Sequence, residues 1–363
     1  ITATFQGLSG TPTADFKELT SANLATPSIT DGSAYFHTQL YTGNGSSGLA
    51  ITNDANAGDF QPDFLWLAPR SNGDNHVLFD SVRGTTSRIY SNKADPADVD
   101  GTAQITFETD GFDLDTTDPN YNGSGRTYVA WQWKANGSGS SNEDGSLSST
   151  VSANQTAGFS IVTATPGTSG TDTIGHGLGI APKMIIGKNT NLADNWHVYH
   201  STISPATEVR LNSTSAATTT TWESASTSSV FQIKNGSWTN GSQVCLFYCF
   251  AEIPGYSSFG SYTGNGSADG PFVYCGFKPS WLMIKRSSGG TGNWDIFDNK
   301  RDPFNVVDAV LDADNTTSET TYSTIKFDFL SNGFKVRETQ SNINNSGDTY
   351  IYMAFAEHPF GGD

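Results

Sequence analysis

The chain has 363 residues and a formal net charge of −17, with 35% hydrophobic, 12% aromatic and only 15% charged residues. With 22 Phe, 13 Tyr and 8 Trp to bury, it cannot belong to the disordered class, in which aromatics are few and charge is dense. The acidic field excludes nucleic acid as a partner, since phosphate binding needs clustered Lys and Arg, and the length suggests two or three domains.

In chain order the segments Phe64–Leu67, Ile105–Phe107, Tyr128–Trp133, Met184–Ile186, Val230–Ile233, Trp281–Ile284 and Tyr350–Phe355 are short, turn-bounded and rich in aromatic or β-branched residues. That is strand chemistry. The pairs Asp110-Gly111, Asn235-Gly236 and Asn332-Gly333 are expected to supply the positive φ of type I′ hairpins. No window keeps a 3.6-residue apolar period for three turns; Asp15–Leu19 and Asp302–Ala309 are at most a helical turn or two. No run of about 18 apolar residues exists, so no helical membrane span is expected. The opening Ile1-Thr2-Ala3-Thr4, without Met or a basic and apolar leader, is read as that of a processed product. The fold class is all-β.

The most informative feature is internal repetition. Tyr41-Thr42-Gly43-Asn44-Gly45 returns as Tyr262-Thr263-Gly264-Asn265-Gly266. Between them, Phe159-Ser160-Ile161-Val162 opens a second copy. Strand landmarks follow in the same order each time: Pro62-Asp63-Phe64, Pro182-Lys183-Met184 and Pro279-Ser280-Trp281, then His76-Val77, Trp196-His197 and Trp294-Asp295. The organisation expected is an N-terminal arm and first strand at 1–40, then β-sandwich repeats at 41–135, 157–254 and 259–358. A flexible Gly/Ser/Asn linker is expected at 136–156, and the sandwiches are expected to follow one another in series, each with its own core. Residues 1–30 are a candidate docking arm for a neighbouring chain.

The landmarks resemble a domain family abundant in virion proteins of marine tailed bacteriophages, including cyanophages. The residues that carry the resemblance are Tyr-Thr-Gly-Asn-Gly at 41–45 and 262–266, Leu78-Phe79-Asp80-Ser81-Val82-Arg83-Gly84, Thr109-Asp110-Gly111-Phe112 and Gly125–Ala135. It covers about 41–358, and the second repeat departs by lacking Tyr-Thr-Gly-Asn-Gly. The resemblance implies three tandem antiparallel jelly rolls of concanavalin-like, lectin-like type in a tail-fibre or receptor-binding setting. It carries no catalytic residue across.

Chemistry-bearing residues are sparse. His197 and His200, three apart on a strand, face opposite ways and suit no tetrahedral metal site. No nucleophile elbow, Walker loop or His-Glu-x-x-His occurs. Glu108 and Asp110 fall on one strand face, yet Asp110 belongs to a turn, and Glu252 and Glu357 have Ala135 as their counterpart; a glycosidase pair is disfavoured. Calcium is the one cofactor considered, with Asp312, Asp314 and Asn315 in one loop and Asp113, Asp115 and Asp118 in another as weak ligands. Recurring aromatics read as core, whereas the non-recurring Trp222 and Trp238 are the better candidates for a glycan-stacking surface. Cys245, Cys249 and Cys275 are read as buried free thiols, with a Cys249–Cys275 bridge as the alternative.

The expected function is therefore non-enzymatic: a structural protein on the exterior of a phage virion, a tail-fibre or appendage subunit contributing to host-surface attachment. Its expected partners are other virion proteins, copies of itself in a homo-oligomer, and a host glycan or protein. The alternatives are a capsid-decoration or filament subunit, or a secreted lectin-like adhesin.

Overall fold

In the computed structural model, which describes residues 28–54, 59–203, 207–219, 222–236, 238–239, 241, 243–321 and 326–358, the seven apolar segments all lie in strands. All the sheets are antiparallel. In the first repeat a six-stranded sheet runs in the order Phe36–Thr42, Thr127–Trp133, Phe64–Pro69, Val77–Asp80, Gly84–Tyr90, Asp98–Val99. The third repeats it with Ser257–Thr263, Thr349–Phe355, Trp281–Arg286, Trp294–Asp298, Ala309–Asp312 and Thr320–Thr321. The second follows the same order from Phe159–Ala164 to Thr218–Thr219.

A smaller sheet faces each large one. It is Leu49–Thr52, Gly111–Leu114, Ile105–Glu108 in the first repeat and Phe272–Tyr274, Gly333–Val336, Phe327–Leu330 in the third. In the second it has only two named strands, Thr171–Gly175 and Val230–Lys234. Each sheet pair encloses a core of alternating inward residues: Leu65, Leu67 and Phe112; Ile185, Phe231 and Phe247; Leu282, Ile284 and Phe334.

The central strands are buried along their whole length, Phe64–Pro69, Met184–Asn189 and Trp281–Arg286 alike. Strands covered on one face only should alternate apolar and polar residues, so continuous burial demands a second packed face. That face is shared. Phe64, Trp66 and Trp131 meet Met184, Ile186 and Tyr248, and these meet Trp281, Met283 and Met353, in one core common to all three repeats. Each sandwich thus keeps the core expected of it, but the three are not beads in series; their large sheets pack back to back around a common centre. At that centre three repeat-equivalent rings touch, Trp133–Phe250 at 6.3 Å, Trp133–Phe355 at 5.7 Å and Phe250–Phe355 at 6.1 Å between centroids.

The three joints are related cyclically. At equivalent positions, the Ala97 N–H donates to Thr190 O (2.8 Å), the Ala217 N–H to Ser287 O (2.9 Å) and the Glu319 N–H to Arg70 O (2.9 Å). These bonds run first repeat to second, second to third, and third back to first. One chain therefore closes into a pseudo-threefold body.

Three local expectations are corrected. Segment 136–156 is not a free linker, because Ser140–Asn142 and Ser149–Asn154 extend the second large sheet, and the Asn136 N–H donates to Ser152 Oγ (2.8 Å). Its polar composition suits edge strands exposed to water. Asp302–Ala309 is not helical; among the described residues the α-helical turns are Pro119–Asn122 and Ser341–Asn344, and Asp15–Leu19 lies outside those residues. The expected free thiols are found, Cys245 and Cys249 buried and Cys275 partly so, and the alternative Cys249–Cys275 bridge is absent because the two belong to different repeats. The glycines after Asp110 and Asn332 have the expected positive φ (117° and 158°) but stand just past the turn: Gly111 pairs with Glu108 and Gly333 with Leu330, so the turns are Thr109-Asp110 and Ser331-Asn332. Glycine is required there by close approach, since a Cβ would lie 2.1 Å from Ile51 O or 2.0 Å from Val273 O. The expected docking arm falls almost wholly outside the described residues; Ile29 already packs into the shared core.

Candidate functional site

The two indoles proposed for a glycan surface are interior. Trp222 is 2% and Trp238 0% exposed, and their rings sit 6.0 Å apart against Phe247. The reason is volumetric. The second repeat has a two-stranded facing sheet and carries Gly187 where the others carry Leu67 and Ile284, and a Cβ at Gly187 would come 2.8 Å from the Trp238 ring. The large side chains fill the room that the missing ones leave. Trp238 also stacks on His197 at 4.4 Å, with planes 8° apart. Burial opposes a charge on that imidazole, but hydrogen bonds to the Asp194 and Glu208 carboxylates raise its pKa above the usual value.

The calcium candidates do not converge. Asp115 Oδ2 accepts the Thr106 hydroxyl (2.7 Å), and Asp118 Oδ1 accepts the Asn120 N–H (2.8 Å) at the start of a helical turn. Asp113 sits half-exposed on the strand Gly111–Leu114. Asp312 Oδ2 accepts the amides of Asn293 (3.0 Å) and Asn315 (2.8 Å), while Asp314 Oδ1 accepts the Trp294 N–H (2.8 Å). Most of these carboxylates already accept hydrogen bonds from neighbouring side chains or amides, and among the described residues no group of three His, Cys, Asp or Glu side chains is placed to hold a metal ion.

Sequence reasoning missed a different acidic feature. Asp295 and Asp312 are register partners on adjacent strands, 1% and 5% exposed. Burial, with Asp312 beside it, raises the Asp295 carboxyl well above the usual range, and burial lifts Asp314 to about 6. A raised folded-state pKa means stability that is complete below about pH 4 and is lost as pH climbs through the raised value. Asp295→Asn removes that slope. The variant should melt above the parent at pH 8, by roughly 1–2 kcal/mol, and no higher than the parent at pH 4. A melting difference that does not change between those pH values contradicts the assignment.

Among the other buried ionisable groups, Lys188, Lys285 and His200 act as joints between repeats. Burial pulls Lys188 and Lys285 down to about 8, the range of an activatable amine, yet each ammonium is already spent on carbonyls. Lys188 Nζ donates to Ala94 O (2.8 Å) and Asp194 O (2.5 Å), and Lys285 Nζ to Ser213 O (2.8 Å) and Gly292 O (2.5 Å). His76 and His200 are fully buried and held neutral, with burial lowering them to about 3 and about 4. Burial also pushes the Cys245 and Cys275 thiols up to about 12 and Cys249 higher still, which leaves them unreactive.

What faces outward is unequal among the repeats. Phe272 is 47%, Tyr274 68% and Phe304 80% exposed, and these are the exposed aromatic residues among those described. All three belong to the third repeat. At the positions of Phe272 and Tyr274 the first repeat has Ala50 and Thr52, set by the same pairing to Asp113 and Gly111 that Phe272 and Tyr274 make to Lys335 and Gly333.

A family model described as a domain of unknown function (DUF7483) matches residues 31–359. Neither a curated protein nor a solved structure gives a significant match.

Proposed function

The chain belongs to the DUF7483 family, and from that footing we propose that it is a non-enzymatic structural protein of a bacteriophage virion. Within the particle it serves as a tail-fibre or exterior-appendage subunit that contributes to attachment at the host surface, including its glycans. The observation that carries the reading is the closed pseudo-threefold body, in which three joints made by equivalent residues hold three sheet pairs rigidly around one core. Such a body matches the threefold symmetry common in fibres and presents three outer faces and their loops without flexing between them. The polar chemistry of the interior is used to lock the joints, which suits a scaffold better than a reaction centre.

The test is immunogold labelling of virions that contain this chain, with retention of the labelled protein on marine cyanobacterial cells before and after periodate oxidation of their surface sugars. The reading expects gold at the tail and retention that falls at least tenfold after periodate. Gold over the capsid with no retention on cells would instead fit a decoration subunit. Retention on cells with no gold on any particle would fit a secreted adhesin.

A further inference from the structure

We infer that the outer face of the three-stranded sheet in the third repeat is a saccharide-binding platform built on Phe272 and Tyr274. It rests on the attachment reading above and names the contact surface within it. In Phe272–Tyr274 the two aromatic residues are exposed and Val273 between them is buried, so both rings project from one face. Two residues along a strand separate them by about 6.6 Å. That is the scale of neighbouring sugar rings, whose C–H faces stack on aromatic planes.

The polar surroundings are those a sugar's hydroxyls need. Across the sheet Phe272 pairs with Lys335 and Lys335 with Asp328, which places a cation and a carboxylate in line with the ring. Lys335 Nζ holds Asp269 Oδ1 (2.7 Å) and Gly270 O (2.9 Å), and Arg337 Nη1 holds Asp328 Oδ2 (2.9 Å). Donors and acceptors thus alternate beside the Phe272 ring. Opposite Tyr274 stands Gly333, which has no side chain to cover the phenol.

The first repeat provides the internal control. It builds the same sheet with Ala50 and Thr52, so the sandwich does not need aromatic residues here. Leaving two rings in water forgoes the stabilisation that burial would bring. A protein partner would call for an interface core of some 800 Å² per side, depleted in charge. Here ion pairs of Lys335 and Asp328 interrupt the apolar surface beside Phe272, and a small polar ring ligand fits that arrangement better.

The experiment compares the full chain with its F272A/Y274T variant, which installs the first repeat's residues, on an array of bacterial capsular and O-antigen polysaccharides. Melting temperature and sedimentation are recorded for both. The inference expects the parent to bind at least one polysaccharide and the variant to bind it at least tenfold more weakly, with unchanged melting and unchanged mass. Conservative F272Y/Y274F should bind as the parent does. An array on which the parent binds nothing, or on which the variant binds equally, overturns the platform. So does a parent dimer that becomes a monomer in the variant, since the face is then a protein interface. Periodate-sensitive retention on cells that survives in the variant leaves the attachment reading standing and removes this surface from it.

Discussion

Trp133→Ala should destabilise the entire molecule by about 3–5 kcal/mol, the cost of deleting a fully buried large aromatic side chain. The size matters less than the reach. Trp133 is 1% exposed and stands on a strand of the first repeat, yet its ring meets Phe250 of the second and Trp281 and Phe355 of the third. The cavity would open where all three large sheets meet, and no single sandwich can collapse to fill it. Hydrogen exchange followed by mass spectrometry should therefore show protection lost together in Thr127–Trp133, Cys245–Phe250 and Thr349–Phe355. Loss confined to peptides of the first repeat contradicts a shared core.

The second large effect is expected at the joint between the first and third repeats. Asp298 Oδ2 accepts Arg301 Nε (2.5 Å) and Trp131 Nε1 (3.0 Å), and Oδ1 accepts the Arg301 N–H (2.8 Å). The Arg301 side chain is 0% exposed and lies over the Trp131 ring at 5.6 Å. Asp298→Ala leaves that buried guanidinium with Glu319 alone, at 3.3 Å, in place of its closest carboxylate, and should cost about 3 kcal/mol. The pair itself is dispensable. Asp80 and Arg83 repeat it between the first and second repeats, where Tyr248 Oη donates to Asp80 Oδ2 (2.8 Å). At the third joint the same two positions are His200 and Ile203, and His200 Nε2 meets Tyr352 O at 3.2 Å instead. Asp298→Leu with Arg301→Met should accordingly recover most of the loss, to within about 1–2 kcal/mol of the parent. Urea denaturation measures both; a double variant as weak as the single one would show that the charges themselves hold the joint.

The sequence announces the strands clearly, because each is a compact aromatic or β-branched run and because the repeats check one another. The shared core is legible there too, in a different signal. Runs such as Phe64-Leu65-Trp66-Leu67 and Trp281-Leu282-Met283-Ile284 are apolar at every position, and a strand with one wet face would alternate. Trp222 and Trp238 misled because they fail to recur, and non-recurrence reads as surface. The compensating signal was Gly187 at a position that is Leu67 and Ile284 elsewhere, a vacancy that large side chains must fill. The loops at Asp113–Asp118 and Asp312–Asn315 offered acidic composition without convergence, since composition does not tell a carboxylate that closes a turn from one that waits for a cation. Phe272 and Tyr274 could have been found by setting them beside Ala50 and Thr52. Exposure on a sheet face shows in sequence only when one copy of a repeat breaks the pattern of another.

Small-angle X-ray scattering of the purified chain puts the closed arrangement to its most direct test. A single body of this length packed around a common centre has a radius of gyration of about 21 Å, whereas three sandwiches strung end to end reach roughly 30 Å or more. A value near the first, with a distance distribution of one peak, is the result expected. A value near the second, with a long tail in that distribution, would mean that Trp133, Phe250 and Phe355 never meet.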